Sequence, residues 1–215
     1  RNVFVSTPFF DPEITLVTDR SDRVVPGSLF VAIPGRTSDG HRFLSDAIAK
    51  GAVAAVVSAE VSSVSVPCFR VADSRRAFAL LCGNFYENPA NALTLVGITG
   101  TNGKTSTSYM LDHCLRACGI KTGLIGTVHT DDGIHSGTST LTTPEPAVLH
   151  RIFAEALRHG CTHTVMEVSS QSLDQSRTAG IEFELGIFTN LTVDHLDYHG
   201  SMQSYRDAKL KLFSQ

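Results

Sequence analysis

The chain has 215 residues, of which 42% are hydrophobic and 18% are charged, and its formal net charge is −3. This composition is ordinary for a globular protein, and the length allows one or two domains. The small negative charge argues against a nucleic-acid-binding surface. No apolar run approaches the roughly 20 residues that a membrane helix needs. We therefore expect no nucleic-acid partner and no membrane insertion. We also expect a monomer, although composition and charge do not bear on the oligomeric state.

The five cysteines are an odd number and include no C-x-x-C pair, which favours free thiols over a disulfide framework. Cys114 and Cys118 are four residues apart on a predicted helix, where two thiols could share a metal ion. We prefer the interpretation that both are buried among apolar side chains. Free thiols and a phosphate-binding loop together favour a reducing, ATP-containing compartment, so we expect a cytoplasmic protein.

Residues 1–88 predict a small α/β domain. Apolar runs bounded by turn residues predict strands at 28–33, 52–57 and 68–71. Helices are predicted at 43–50 and from the capping residue Asp73 to about Tyr86. The following segment, 87–91, is typical of a linker, and we place a domain boundary near residue 89.

Residues 89–215 predict a second domain in which strands and helices alternate. The predicted strands lie at 93–98, 121–128, 162–167 and 185–189. The predicted helices lie at 107–116, at 146–158 and from Ser201 to the end of the chain. Asp131-Asp-Gly133 indicates a hairpin-like turn. Such alternation predicts a doubly wound, mainly parallel sheet, which binds ligands at the carboxyl ends of its strands.

The stretch Thr99-Gly-Thr-Asn-Gly-Lys-Thr-Ser106 joins a predicted strand to a predicted helix. A glycine-rich turn at a helix start directs backbone N–H groups at a phosphate, and the helix dipole favours the negative charge. Lys104 would reach the β- and γ-phosphates, and the hydroxyl of Thr105 could hold Mg²⁺. The loop is a variant, because Ile98 stands where the usual pattern has its first glycine.

Two other stretches could carry chemistry. Glu167 ends a predicted strand, where a carboxylate suits Mg²⁺, although it could instead cap the next helix. The stretch 190–200 is dense in His and Asp, and by itself it predicts either a polar loop or a metal site. His195 and His199 are four residues apart but lack the glutamate of H-E-x-x-H, which argues against a zinc hydrolase. Spacing alone gives Lys209, within a predicted helix, no function.

The chain resembles the Mur ligases, the ATP-dependent amide-forming enzymes of peptidoglycan synthesis. The motifs that carry the resemblance are the phosphate loop, Met166-Glu-Val-Ser-Ser170, Thr189-Asn-Leu-Thr-Val-Asp-His-Leu-Asp-Tyr-His-Gly200 and Tyr205-Arg-Asp-Ala-Lys209. In the first domain, the segments 24–33 and 35–43 extend it. It is closest to the MurE type, which adds the third amino acid to UDP-N-acetylmuramoyl-L-alanyl-D-glutamate.

The resemblance implies an N-terminal α/β domain (1–88) that binds the UDP substrate and an incomplete central P-loop ATPase domain (89–215). ATP would phosphorylate the γ-carboxylate of the substrate's D-glutamate, and the amine of the incoming amino acid would attack the acyl phosphate. We expect a fragment of a longer protein that cannot complete the ligation alone, because Mur ligases have a third domain for the amino acid. The resemblance leaves open whether that amino acid is meso-diaminopimelate or L-lysine.

The resemblance also implies the roles of particular residues. ATP would be bound by Gly100, Thr101, Asn102, Gly103, Lys104, Thr105 and Ser106. The catalytic residues would be Lys104, His195 and Lys209. Mg²⁺ would be held by Thr105, Glu167, His195 and Lys209, the last as a carbamate formed with CO₂. The UDP-muramoyl-dipeptide would be contacted by Ser21, Arg36, Thr37, Ser38, Thr142, Thr143, Ser169, Gln175 and Arg177.

Three alternatives stay open at this point. A folylpolyglutamate-type ligase tends to have Gly-Lys-Gly-Ser in the loop, whereas this chain has Gly-Lys-Thr-Ser at 103–106. A P-loop kinase or nucleotide switch would share the loop but would ignore the UDP substrate. A binding module without catalytic activity would bind ATP without turning it over.

Overall fold

The structure is a computed structural model that describes residues 12–35, 38–61 and 64–214. The chain divides into two compact units, of which one ends at Phe85 and the other begins at Tyr86. Each unit has its own sheet. Along the described ranges, every helix is too short or too polar to cross a membrane.

The first unit is a four-stranded parallel sheet flanked by helices. Its strands, in spatial order, are β1 (Leu16–Thr18), β2 (Ser28–Val31), β3 (Ala52–Val57) and β4 (Cys68–Arg70). Its helices are α1 (Leu44–Ala49), α2 (Ser74–Phe85) and the 3₁₀ segments Ser21–Arg23 and Gly40–Phe43. The strands β2 and β3 are buried along nearly their whole length, as expected for parallel strands covered on both faces. The predicted elements are confirmed, and β1 is an addition.

The second unit is a six-stranded sheet in the spatial order β10-β5-β9-β6-β7-β8. The strands are β5 (Thr94–Thr99), β6 (Thr122–Ile125), β7 (His129–Asp131), β8 (Ser136–Thr138), β9 (His163–Glu167) and β10 (Leu185–Phe188). The α-helices are α3 (Lys104–Ala117), α4 (Pro146–Arg158), α5 (Ser170–Asp174), α6 (Leu196–His199) and α7 (Met202–Leu210). Two 3₁₀ segments complete the unit, Pro89–Ala92 and Lys211–Ser214.

Helices cover both faces of this sheet, because alternate strand residues point to opposite sides. One set of buried side chains packs with partly buried residues of α3, and its members are Val96, Ile98, Leu124 and Val165. Their strand neighbours pack on the other face with α4, and they include Leu95, Ile125 and Met166. The four strands β10, β5, β9 and β6 are parallel, while β7 and β8 are antiparallel. The predicted α/β architecture with a mainly parallel sheet is therefore confirmed.

The carboxyl ends of the parallel strands meet at one edge of the sheet, which we call the carboxyl edge. The register pairs Ile98 with Glu167 and Thr99 with Phe188. From β5 the chain crosses to β6 and β9 on one side, and it later reaches β10 on the other. The phosphate loop thus follows the strand at which the connections diverge, where open α/β sheets bind ligands.

Three local predictions need correction. The strand predicted at 121–128 stops at Ile125, because the chain turns at Gly126, where a Cβ would collide with the carboxylate of Glu167. The last α-helix ends at Leu210 and continues as a 3₁₀ segment. Cys114 and Cys118 are exposed rather than buried, because Cys114 lies on the outward face of α3 and Cys118 directly follows the end of this helix. The predicted hairpin turn is confirmed between β7 and β8.

Candidate active site

The phosphate loop between β5 and α3 is held by the segment that follows β10. Gly100 and Gly103 have positive φ angles of 146° and 85°, a conformation that favours glycine. A Cβ on Gly100 would collide with the hydroxyl of Thr189. The side-chain amide of Asn190 accepts a hydrogen bond from Asn102 N at 3.0 Å and donates one to Asn102 O at 3.0 Å. Contacts within the protein therefore hold the phosphate loop in its conformation without a bound phosphate.

Two lysines converge on this loop. The Nζ of Lys104 donates to the carbonyl oxygens of Gly100 and Thr101, both at 2.9 Å. The Nζ of Lys209, on α7, donates to the same oxygen of Gly100 at 2.7 Å, and this side chain is only 1% exposed. Burial lowers the pKa of both lysines, and the nearby charge of Lys104 adds to the effect at Lys209, whose pKa falls to about 8. The site thus places two amines where an anion would be stabilised.

Glu167 is a buried carboxylate at the end of β9, 0% exposed. Its Oε2 accepts hydrogen bonds from the hydroxyls of Thr105 and Thr127, each at 3.0 Å. Its Oε1 accepts the backbone N–H of Thr127 at 2.9 Å. The structure therefore brings together the two residues, Thr105 and Glu167, that were predicted from separate motifs to hold Mg²⁺.

His195 is linked to Lys209 through the ring of Tyr205. It adopts a left-handed φ of 50° before α6, and its side chain is 42% exposed. Its ring packs edge-on against Tyr205, with 5.9 Å between centroids. The Tyr205 hydroxyl donates to Thr101 Oγ1 at 3.2 Å, and its ring centroid is 4.4 Å from Nζ of Lys209. Tyr205 therefore connects His195 and Lys209 to the phosphate loop.

Two residues of this site were not among those predicted. The negative charge of Asp194 acts on both Lys104 and Lys209, where it opposes the lowering of the pKa by burial. Asp194 stands in the His- and Asp-rich stretch, next to His195. Tyr205 stands four residues before Lys209, so both lie on one face of α7. Their places next to His195 and on the same helix face as Lys209 are the only features of the sequence that could have indicated these two residues.

Five predicted substrate contacts surround the end of β9. The hydroxyl of Thr143 donates to Glu167 O at 2.9 Å and accepts the N–H of Ser169 at 3.0 Å. Nη1 of Arg177 donates to Thr143 O at 2.9 Å. Gln175 accepts from Nη2 of Arg177 at 2.8 Å, and Thr142 Oγ1 lies 3.0 Å from Thr127 Oγ1. These groups already bind one another, and their contact with a substrate stays a prediction.

The remaining predicted contacts belong to the first unit. Ser21 begins a 3₁₀ segment, and its carbonyl oxygen accepts from Nζ of Lys50 at 3.1 Å. The carbonyl oxygen of Ser38 accepts the N–H of Gly35 at 2.9 Å. Arg36 and Thr37 lie outside the described residues.

Comparison with known families gives two matches along the chain. The model of the Mur ligase middle domain matches residues 98–215, which is more than half of the 215 residues. The model described as Mur ligase family, catalytic domain, matches residues 13–86. The matches cover both units and favour the Mur ligases over a P-loop kinase or switch.

Similar proteins agree with these matches. A UDP-N-acetylmuramoyl-L-alanyl-D-glutamate–2,6-diaminopimelate ligase from Geobacillus kaustophilus is 48% identical over 95% of this chain and 42% of its own length. The ligase of the same name from Bacillus cereus is 45% identical over 99% of this chain and 43% of its own length. A solved structure of such a ligase superposes with a TM-score of 0.79 at 25% identity, over 93% of this chain and 41% of that one. The chain thus spans less than half the length of these relatives, and it belongs to the Mur ligase family.

Proposed function

We propose that this chain forms the ATP-binding part of a ligase that adds the third amino acid to UDP-N-acetylmuramoyl-L-alanyl-D-glutamate. The observation that carries the proposal is the convergence of the phosphate loop, the Thr105–Glu167 pair and Lys209 at the carboxyl edge. The relatives from Geobacillus and Bacillus are named as diaminopimelate ligases, which favours diaminopimelate over L-lysine. The reaction would proceed through an acyl phosphate of the substrate's D-glutamate.

The donor set suits Mg²⁺. Oγ1 of Thr105 and Oε2 of Glu167 are 3.0 Å apart. Two oxygen ligands at about 2.0–2.1 Å from an octahedral Mg²⁺ would be about 2.9 Å apart, so these two atoms need little movement to share one ion. Mg²⁺ bound there would neutralise charge on the transferring phosphoryl group. His195 would contribute to a second ion on the Lys209 side of the site.

Lys209 suits carbamylation. A pKa of about 8, lowered by burial and by the charge of Lys104, leaves part of the amine neutral near neutral pH. The neutral amine can attack CO₂, forming an N–C bond and releasing one proton. The product is a carboxylate, which would turn the repulsion between Lys104 and Lys209 into attraction and supply an oxygen ligand for Mg²⁺.

The protein's own part in the reaction would be positioning and charge stabilisation. The loop N–H groups and Lys104 would hold the phosphates, and Lys104 would offset charge on the transferred group. Thr142, Thr143, Ser169, Gln175 and Arg177 would orient the carboxylate end of the UDP-muramoyl-dipeptide. Ser21, Arg36, Thr37 and Ser38 of the first unit would bind its uridine end.

The test is ADP release by the complete ligase that contains this chain, measured with Mg²⁺, ATP and UDP-muramoyl-dipeptide. We expect ADP release to require the UDP-muramoyl-dipeptide. We expect the amide product to form when diaminopimelate is added. ADP release that ignores the UDP-muramoyl-dipeptide would favour a nucleotide switch. Completion by L-lysine and not by diaminopimelate would keep the reaction but overturn the choice of amino acid.

A further inference from the structure

A second group of potential metal ligands lies at the opposite edge of the same sheet, which we call the amino edge. Asp132, His135 and His159 each place one ligand atom within 4.8 Å of the others. β7 runs antiparallel to β6 with Asp131 beside Leu124, so the turn after β7 lies near the start of β6, away from the phosphate loop. We infer that Asp132, His135 and His159 form a Zn²⁺-binding site.

The distances between the ligand atoms suit one small ion. Oδ1 of Asp132 is 2.9 Å from Nδ1 of His159, and Oδ2 of Asp132 is 3.5 Å from Nδ1 of His135. In a tetrahedral site with bonds of about 2.0–2.1 Å, neighbouring ligand atoms are about 3.3 Å apart. The two separations lie on either side of that value. They involve different oxygens of the Asp132 carboxylate, and one ligand atom from each residue lies within 4.8 Å of the others, so rotations of the side chains would have to bring these atoms around one ion.

The chemistry of the donors selects the ion. Two imidazoles and one carboxylate favour Zn²⁺ and similar transition metals, whereas Mg²⁺ and Ca²⁺ prefer oxygen ligands alone. Three protein ligands leave the fourth tetrahedral position to water. The site therefore differs in kind from the all-oxygen Thr105–Glu167 pair at the carboxyl edge.

The turn holds Asp132 in place independently of any ion. The Asp132 carboxylate, in a residue only 7% exposed, accepts the N–H groups of Ile134 at 3.1 Å and His135 at 2.8 Å. Beneath it, the thiol of Cys161 donates to Asp132 O at 3.4 Å. Such surrounding hydrogen bonds orient a metal-binding carboxylate. The His135 side chain is 75% exposed, which leaves the site open to solvent.

A bound ion would join two segments that are distant in sequence. Asp132 and His135 belong to the turn between β7 and β8, while His159 follows α4. A hydrogen bond already links His159 to Asp132, so the ion would replace one proton with a stronger connection. The ammonium of Lys121, which donates to His159 O at 2.5 Å, is a nearby positive charge that opposes the binding of a cation.

Calorimetric titration with Zn²⁺ tests the inference. The parent protein carries Cys114→Ser and Cys118→Ser, because these exposed thiols would themselves bind zinc, and excess Mg²⁺ occupies the oxygen sites. We expect one equivalent of Zn²⁺ to bind. The His135→Ala variant should bind at least about 10-fold more weakly. The His113→Ala variant, which removes an exposed histidine of α3 outside the cluster, should match the parent.

Melting curves distinguish the loss of zinc binding from a loss of folding in the variants. His135 is largely exposed, so His135→Ala should melt like the parent without zinc. Zn²⁺ should then raise the melting temperature of the parent and of His113→Ala, but not that of His135→Ala. Equal Zn²⁺ affinity in the parent and in His135→Ala would overturn the site, and so would the absence of binding to the parent.

Discussion

The two edges of the second sheet treat charge in opposite ways. At the carboxyl edge, the ammonium groups of Lys104 and Lys209 donate to one carbonyl oxygen, that of Gly100. At the amino edge, burial disfavours the Asp132 carboxylate, but hydrogen bonds from two backbone N–H groups and from His159 outweigh it and hold its pKa at about 2. The fold thus stabilises the negative charge of Asp132 at the amino edge. At the carboxyl edge it brings the positive charges of Lys104 and Lys209 close together.

This difference indicates that the lysines at the carboxyl edge serve the binding of a ligand rather than the stability of the fold. The repulsion between the buried Lys209 and the half-buried Lys104 does not stabilise the fold, so their close approach indicates a ligand that completes the site. A triphosphate or a carbamate would supply the missing negative charge. Substitutions of Lys104 and Lys209 alter this crowded edge. Exposed Lys211, whose Nζ donates to Asp174 at 3.1 Å, offers a matched control.

The largest effect is expected from Lys104→Ala in the complete ligase. Lys104 is the cation closest in sequence to the loop N–H groups, and it would stabilise the charge of the transferred phosphoryl group. We expect ADP release that depends on UDP-muramoyl-dipeptide to fall by roughly 10²–10³-fold or more. Lys211→Ala should keep the parent rate. Near-normal release by Lys104→Ala would remove this lysine from the reaction.

A smaller loss, about 10–100-fold, is expected from Lys209→Ala in the same assay. If Lys209 acts as a carbamate, added acetate or formate should occupy the space it leaves and restore part of the rate. The same salts should not improve Lys104→Ala, which lacks a cation. Full activity of Lys209→Ala without added carboxylate would contradict the role given to it.

The smallest effect concerns stability and pH. Because the pKa of Lys209 is about 8 in the fold against 10.5 when unfolded, the unfolded chain binds an extra proton between these values. The free energy of unfolding should therefore rise with pH from 8 to 10.5, by at most about 1.4 kcal/mol per unit relative to Lys209→Met. Below pH 8 the Met variant should be the more stable. Denaturant unfolding at several pH values measures this difference. The same pH dependence of the free energy of unfolding in the parent and in Lys209→Met would show that the pKa of Lys209 is not lowered in the fold.

Much of the fold could be predicted because its signals are local. Apolar runs, turn residues and helix caps place β5, α4 and β9 within one residue of their observed bounds. The usual phosphate-loop pattern has a glycine where this chain has Ile98. Ile98 is a fully buried residue of β5, and the loop begins only at Gly100, so no glycine is needed at position 98. Glycine spacing alone could not distinguish a shifted loop from a defective one.

The parts that could not be predicted depend on contacts between distant segments. The turn at Gly126 is set by the Glu167 carboxylate, which is 41 residues away in the sequence. The shared acceptor of Lys104 and Lys209 exists only because α7 packs against the phosphate loop. Asp194 acts on both lysines through space, and the sequence offers only its place beside His195 as a hint.

The most direct test of the crowded carboxyl edge is the number of protons taken up when Mg²⁺ and ATP bind. Calorimetry in CO₂-free buffers of different ionisation enthalpy gives this number near pH 8, where Lys209 titrates. The triphosphate should raise the pKa of Lys209, so binding should take up a fraction of a proton, and Lys209→Met should take up less. Binding without proton uptake, or equal uptake by the parent and by Lys209→Met, would contradict the account.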